Sequence, residues 1–77
     1  MKGFIMINVE PGSEKQVFDS LQRIRDIKEV VPVYGEYDFI AIADVEAISD
    51  LNRIVLSVRE IPSVTNTRTI LGMELKF

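Results

Sequence analysis

Glu29-Val30-Val31-Pro32-Val33-Tyr34-Gly35-Glu36-Tyr37-Asp38-Phe39-Ile40-Ala41-Ile42-Ala43 reads as two strands joined at a glycine. The first of the two, residues 29–34, contains Pro32, which lacks a backbone donor and therefore belongs at a sheet edge. Gly35-Glu36 is a Gly-first pair of the kind that closes a tight hairpin. The second strand, residues 37–43, is apolar on both faces, as a central strand should be.

Outward from this hairpin the pattern changes period in both directions. Upstream, residues 4–9 (Phe-Ile-Met-Ile-Asn-Val) form another strand with apolar residues on both faces, ended by Pro11-Gly12. Ser13 with Gln16 three residues later makes a capping-box pattern, and Val17, Leu21 and Ile24, with Phe18 beside them, recur at helical spacing. Downstream, Asp44 is placed to cap a second helix, with Glu46 near its positive end. Ala47, Leu51, Ile54 and Val58 supply that helix's buried stripe, widened by Ile48 and Val55. Ile61-Pro62-Ser63 stops the helix, and residues 64–75 read as the last strand, with Gly72 marking a bulge.

The expected order is thus β-α-β-β-α-β, a single ferredoxin-like α+β domain over residues 1–77. It predicts a four-stranded antiparallel sheet with two helices on one face. The first and third strands should be central, and the second should lie at an edge. Alternation puts Ile5, Ile7 and Val9 on one side of the first strand and Phe4 and Met6 on the other. Along the third strand it separates Ile40 and Ile42 from Phe39, Ala41 and Ala43. A sheet with one wet face should alternate apolar and polar residues. These strands do not, so the sequence predicts at least a dimer that packs sheet to sheet.

Size points the same way. A chain of 77 residues lies near the lower limit for a self-sufficient core, where disulfides, metals or self-association commonly help. The chain has no cysteine and no histidine. That rules out disulfides, thiolate nucleophiles and zinc–sulfur sites, and it removes the commonest metal ligand and general base. No cofactor and no metal site are expected. No apolar run approaches the roughly 20 residues of a membrane span, and the start lacks the features of a signal peptide. A cytoplasmic protein is the default expectation.

The formal charge is −3, with nine basic and twelve acidic residues. Basic residues are scattered rather than gathered on one face, as a nucleic-acid binder would require. Between Lys28 and Arg53 no base occurs, whereas Glu29, Glu36, Asp38, Asp44, Glu46 and Asp50 do. This run is either an ordinary solvated acidic face or a local negative potential suited to an ammonium-bearing ligand. Both readings disfavour DNA.

Two places could carry function. The hairpin 33–38 holds two tyrosines around Gly35 and a carboxylate, Asp38, just beyond the turn. It is either a plain hairpin, with Gly for positive φ and Asp as turn punctuation, or part of a pocket. Thr65, Thr67 and Thr69 recur every second residue, so they share one side of the last strand. Threonine suits strands anyway, but a hydroxyl row can also line a polar pocket between subunits.

Gly35-Glu36-Tyr37-Asp38-Phe39, a helix, and then Ile61-Pro62-Ser63-Val64-Thr65-Asn66-Thr67-Arg68-Thr69 together resemble the C-terminal ligand-binding (RAM) domain of the Lrp/AsnC regulators. The family pattern has a Gly-x-Tyr/Phe-Asp hairpin and a Leu-Pro-Gly-Val-x-x-Thr-x-Thr approach to the final strand. Here Ile-Pro-Ser-Val replaces Leu-Pro-Gly-Val. The resemblance implies sheet-to-sheet dimers, rings of dimers, and sites for amino acids or related small molecules between dimers. By position it implies a pocket of Gly35, Glu36, Tyr37 and Asp38 with Thr67, Thr69, Ile70 and Leu71 from a neighbouring copy. Asp38 would take the ligand ammonium as a charge-assisted pair, and backbone N–H groups around Gly35 would meet its carboxylate.

Full regulators of this family carry a helix-turn-helix before the sensing domain. With the first strand starting at Phe4, the chain resembles the stand-alone form, without DNA contact of its own and able to join a full-length regulator. Other readings remain. An ACT-like amino-acid domain would use the turn Glu10-Pro11-Gly12-Ser13. A dimeric α+β barrel enzyme would need a partner for Asp38 or Asp44 in acid–base work, and no catalytic residue is recognisable. An RNA-recognition module would need a basic-Gly-aromatic third strand, which residues 37–42 do not supply.

Overall fold

The structure, a computed structural model, describes residues 1–75. The elements run β1 (Lys2–Val9), α1 (Glu14–Gln22), β2 (Ile27–Pro32), β3 (Phe39–Asp44), α2 (Ile48–Arg59) and β4 (Val64–Leu71). All pairs are antiparallel and the sheet order is β2-β3-β1-β4. The two strands that are apolar on both faces, β1 and β3, are therefore central, and the strand containing Pro32 lies at an edge as expected.

Both helices pack on one side of the sheet. Their buried residues (Val17 and Leu21 from α1; Leu51, Ile54 and Val58 from α2) join Ile5, Ile7, Val9, Phe39, Ala41 and Ala43 in one core. Leu51 sits so close to β1 that a Cβ on Gly3 would lie 2.5 Å from its Cδ1, which accounts for glycine there. Phe18 and Phe39 stack in a tilted arrangement at 5.8 Å between α1 and β3. On the other side, the register aligns Ile70 with Phe4 and Phe4 with Ile42, then Arg68 with Met6, Met6 with Ile40, and Ile40 with Val31. No element among the described residues covers this side.

Several boundaries differ from expectation. The β2 strand lies two residues earlier than residues 29–34. Its register slips between Ile27 and Glu29, so that both Ile27 and Val30 pack on the core. The hairpin is not a two-residue turn. It runs from Val33 to Asp38, closed by the Val33 N–H donating to the Asp38 carbonyl at 3.0 Å. Residues 72–75 fall outside β4, and Gly72 marks no bulge. The Gly72 N–H donates to the Lys2 carbonyl at 2.7 Å, and a Cβ there would lie 3.2 Å from that oxygen. The sheet's bulge is instead at the start of β4, where Asn8 pairs with Asn66 but Val9 pairs with Val64, leaving Thr65 as the extra residue.

The helix starts also depart from the capping signals. Ser13 is the N-cap of α1 by position, but its side chain makes no capping bond. Glu14 instead accepts from the Gly12 N–H at 2.9 Å. Asp44 caps nothing: it closes β3 and faces the N-terminal ammonium of Met1 at 3.4 Å. The N-cap of α2 is Ala47, exposed and outside the buried stripe, and Ile48 is 57% exposed rather than part of it.

Candidate functional site

Along β3, backbone pairing with β1 reaches Ile7↔Phe39 and stops. One residue earlier the Asp38 N–H still donates to the Ile7 carbonyl at 2.9 Å. The Val9 N–H points the same way but meets no β3 backbone, and the Asp38 carboxylate takes its place, accepting at 2.8 Å through Oδ2. The acid after the turn thus ends the ladder with its side chain and fixes the hairpin to β1. A second tie comes from Asn8. Its Nδ2 donates to the Glu36 carbonyl at 2.8 Å, and its Oδ1 accepts from Asn66 Nδ2 at 3.2 Å. Hairpin, β1 and β4 are thereby joined at one end of the sheet.

Within that frame Gly35 adopts φ +110° with open space where a Cβ would stand, a backbone that favours glycine and leaves its surroundings accessible. Glu36 is exposed, Tyr37 and Asp38 are half-buried, and Tyr34 at the tip is fully exposed.

The last-strand candidates divide into two groups. Pairing of Ile7 with Thr67 and Ile5 with Thr69 puts both hydroxyls on the helix-bearing side, along the open rim of β4. Thr67 lies towards the hairpin end and accepts a hydrogen bond from Arg59 Nε at 3.1 Å. Thr69, Ile70 and Leu71 lie towards the other end, opposite Ile5, Phe4 and Gly3. One chain therefore brings Gly35, Glu36, Tyr37 and Asp38 together, with Thr67 at the same end, but not Thr69, Ile70 or Leu71. A concavity of about 660 Å³ between Phe4, Gly72 and Met73 is also at that other end and contains none of the expected site residues. Asn8, Asn66 and Arg59 escape the sequence reading. A lone asparagine between Ile7 and Val9 in an otherwise apolar strand is the signal that could have found Asn8.

Among the described residues no group of three or more carboxylates is placed to hold a metal ion, and no helix is long and apolar enough to cross a membrane. The side chains that converge are hydrogen-bonding groups at one end of the sheet.

These features define a ferredoxin-like α+β domain, with a polar hairpin held at one end of a half-covered sheet. Residues 2–75 match the family model of the Lrp/AsnC ligand binding domain, and the chain belongs to that family. No curated protein sequence matches it. Among solved structures, FFRP-DM1 superposes with a TM-score of 0.86 at 29% identity, covering 94% of this chain and 97% of that one. TTHA0845 from Thermus thermophilus gives 0.90 over 97% and 95% at 18% identity, a likeness of fold. The transcriptional regulator NMB0573 of Neisseria meningitidis, crystallised with L-Met, gives 0.81 at 16% identity, covering 99% of this chain but 52% of that one. The chain spans nearly the whole of the first two proteins and about half of the third.

Proposed function

We propose that the chain binds an amino acid or a closely related effector between copies of itself, without catalysis and without direct contact to DNA, and so acts as a sensing module in the cytoplasm. Membership of a ligand-binding regulatory family supports the general class, and the L-Met complex of the similar Neisseria regulator supports the kind of effector. The observation that carries the reading is the hairpin itself: Asp38 and Asn8 anchor it to β1, while Gly35 keeps an accessible positive-φ backbone. Asp38 Oδ2 is engaged with Val9, so Oδ1 is the oxygen that would accept from the ligand ammonium. Backbone N–H groups near Gly35 would take the carboxylate, with Glu36 and Tyr37 beside it. Thr67, Thr69, Ile70 and Leu71 would come from a neighbouring copy, because one chain does not bring the last three to the hairpin. Dimers formed through the bare sheet face would assemble further to create that pocket, and a full-length regulator could enter the same assembly.

Isothermal calorimetry with the common amino acids, on wild type and Asp38→Asn, tests the site. The Asn side chain can still accept from the Val9 N–H, so the fold should persist with a stability loss of about 1 kcal/mol, the difference between a charged and a neutral acceptor. Binding of the preferred amino acid should weaken roughly tenfold or more through loss of the charged pair. Equal affinities for both proteins would remove Asp38 from the role. Absence of a binding heat for any amino acid to assembled wild type would remove the effector class.

A further inference from the structure

On the side of the sheet opposite the helices, the register sets side chains in rows that cross all four strands. One row runs Glu29, Ile42, Phe4 and Ile70, and the next runs Val31, Ile40, Met6 and Arg68. Val30, Ala41 and Ile5 alternate with these residues along their strands and pack with the helix-side core, which fixes the side on which the two rows stand. All are apolar except Glu29 and Arg68, and those two are exposed and lie at opposite edges, on β2 and on β4. They occupy adjacent rows, offset by two residues along the strand direction, or roughly 7 Å. Polar pairs close the block at both ends, Lys2 with Asp44 at one and Asn8 with Asn66 at the other. An apolar centre inside a polar rim is the anatomy of a protein interface. Here the rim carries opposite charges on opposite edges.

Two copies packed through this face about a two-fold axis have two arrangements that keep their strands aligned. With the axis across the strands, β4 lies over the partner's β4, so Arg68 approaches its own like charge and Glu29 does the same. With the axis along the strands the edges exchange, and β4 lies over the partner's β2. We propose that the chain recognises a second copy of itself in this edge-exchanged arrangement, each Arg68 pairing with the partner subunit's Glu29. Two symmetry-related ion pairs then select the orientation and the identity of the partner. Facing sheets lie about 10 Å apart, a gap that an arginine and a glutamate span from its two sides. The arginine stem can follow the apolar block across the one-row offset while its head stays at the wet rim. Rim pairs of this kind contribute little affinity but discriminate between partners, because a wrong partner or a wrong orientation sets like charges together. The inference rests on the sheet-to-sheet dimer proposed above and adds what orients it. It uses no residue of the effector pocket.

Sedimentation velocity of wild type, Arg68→Glu, Glu29→Arg and an equimolar mixture of the two variants tests it. Each variant alone sets like charges at both contacts, and its self-association should weaken roughly tenfold or more. In the mixture, the new carboxylate meets the new guanidinium at one contact and the native pair stands at the other. A heterodimer should therefore form with close to wild-type affinity. Net charge cannot imitate this pattern, because the two variants move it in opposite directions. Both positions are exposed in the single chain, so circular dichroism should show the fold retained. In 1 M sodium chloride, where the Debye length is about 3 Å, the differences should shrink. Variants that associate like wild type, or a mixture no tighter than its components, would overturn the pairing. So would Arg68→Glu binding wild type more tightly than either binds itself, the mark of β4 lying over β4. Ile40→Glu, at the middle of the same face, separates this failure from that of the dimer. If it disrupts association while the charge variants do not, only the orientation falls. If it too leaves association unchanged, or if wild type is monomeric, both readings fall together.

Discussion

Ser63 shows how a single backbone angle can be expensive. It has φ +78°, and it is the one non-glycine with positive φ among the described residues, whereas Gly12 and Gly35 meet the same demand without a Cβ. An L-residue in the left-handed region costs roughly 1–2 kcal/mol. The position matters because the Ser63 carbonyl accepts from the Glu10 N–H at 2.9 Å, tying the α2–β4 connection to the end of β1. The Lrp/AsnC pattern has glycine here. Ser63→Gly should relieve the strain, offset in part by roughly 0.4–1 kcal/mol of added freedom in the unfolded chain. The expected net gain is about 0.5–1 kcal/mol, or a rise in Tm of roughly 2–8 °C for a domain of this size. A differential scanning calorimetry trace with unchanged or lower Tm would show that the serine carries no such penalty. The Ile61-Pro62-Ser63 stop is legible in the sequence, but the sign of φ at its last residue is not, because a serine is compatible with either side.

Among the elements, what depends on alternation within a short segment is legible and what depends on distant partners is not. The strands β1 and β3 could be assigned to the sheet centre, and Leu51, Ile54 and Val58 to the inner side of α2, because each pattern repeats within one segment. The start of α2 is the counterexample. Asp44 looks like a cap, yet its carboxylate faces the Met1 ammonium, 43 positions earlier, and the Val45 N–H donates to the Met1 carbonyl at 2.8 Å. This extends β3 to Asp44 and pushes the helix start to Ala47, which has extended φ −134° and ψ 151° but no side chain able to accept a bond. Asp38 follows the same logic at the site: its place after Gly35 is visible in the sequence, but its bond to Val9 arises from the point at which β3 leaves the ladder. The helix start yields a prediction of its own. Ala47→Ser adds an acceptor for the first-turn N–H groups at an exposed position and should stabilise the fold by about 0.5–2 kcal/mol. Serine is preferable to aspartate here because Glu46 and Asp50 already flank the position. Urea denaturation should show a higher midpoint with unchanged slope, and an unchanged midpoint would mean that solvent already satisfies those donors.

At the scale of the whole molecule, the governing fact is a sheet with one face covered by helices and the other covered by no element among the described residues. Phe4, Met6, Val31, Ile40, Ile42 and Ile70 align across four strands on the bare side, and Ile70 is 53% exposed. A standard interface buries about 800 Å² per partner, roughly one-seventh of this chain's 5535 Å², which one sheet face can supply. Ile40 lies between Met6 and Val31 in the register, at the middle of that face. In the single chain it is only half-buried, so Ile40→Glu can keep its carboxylate in water and leave the helix-side core intact. In a two-fold dimer the same residue meets its counterpart's surface, and symmetry buries the new charge twice without a partner. Sedimentation velocity should therefore show association weakened roughly a hundredfold or more, while circular dichroism shows the fold retained. An Ile40→Glu protein that sediments like wild type would mean that the copies meet elsewhere. Any effector pocket between them would then have to be rebuilt on a different face.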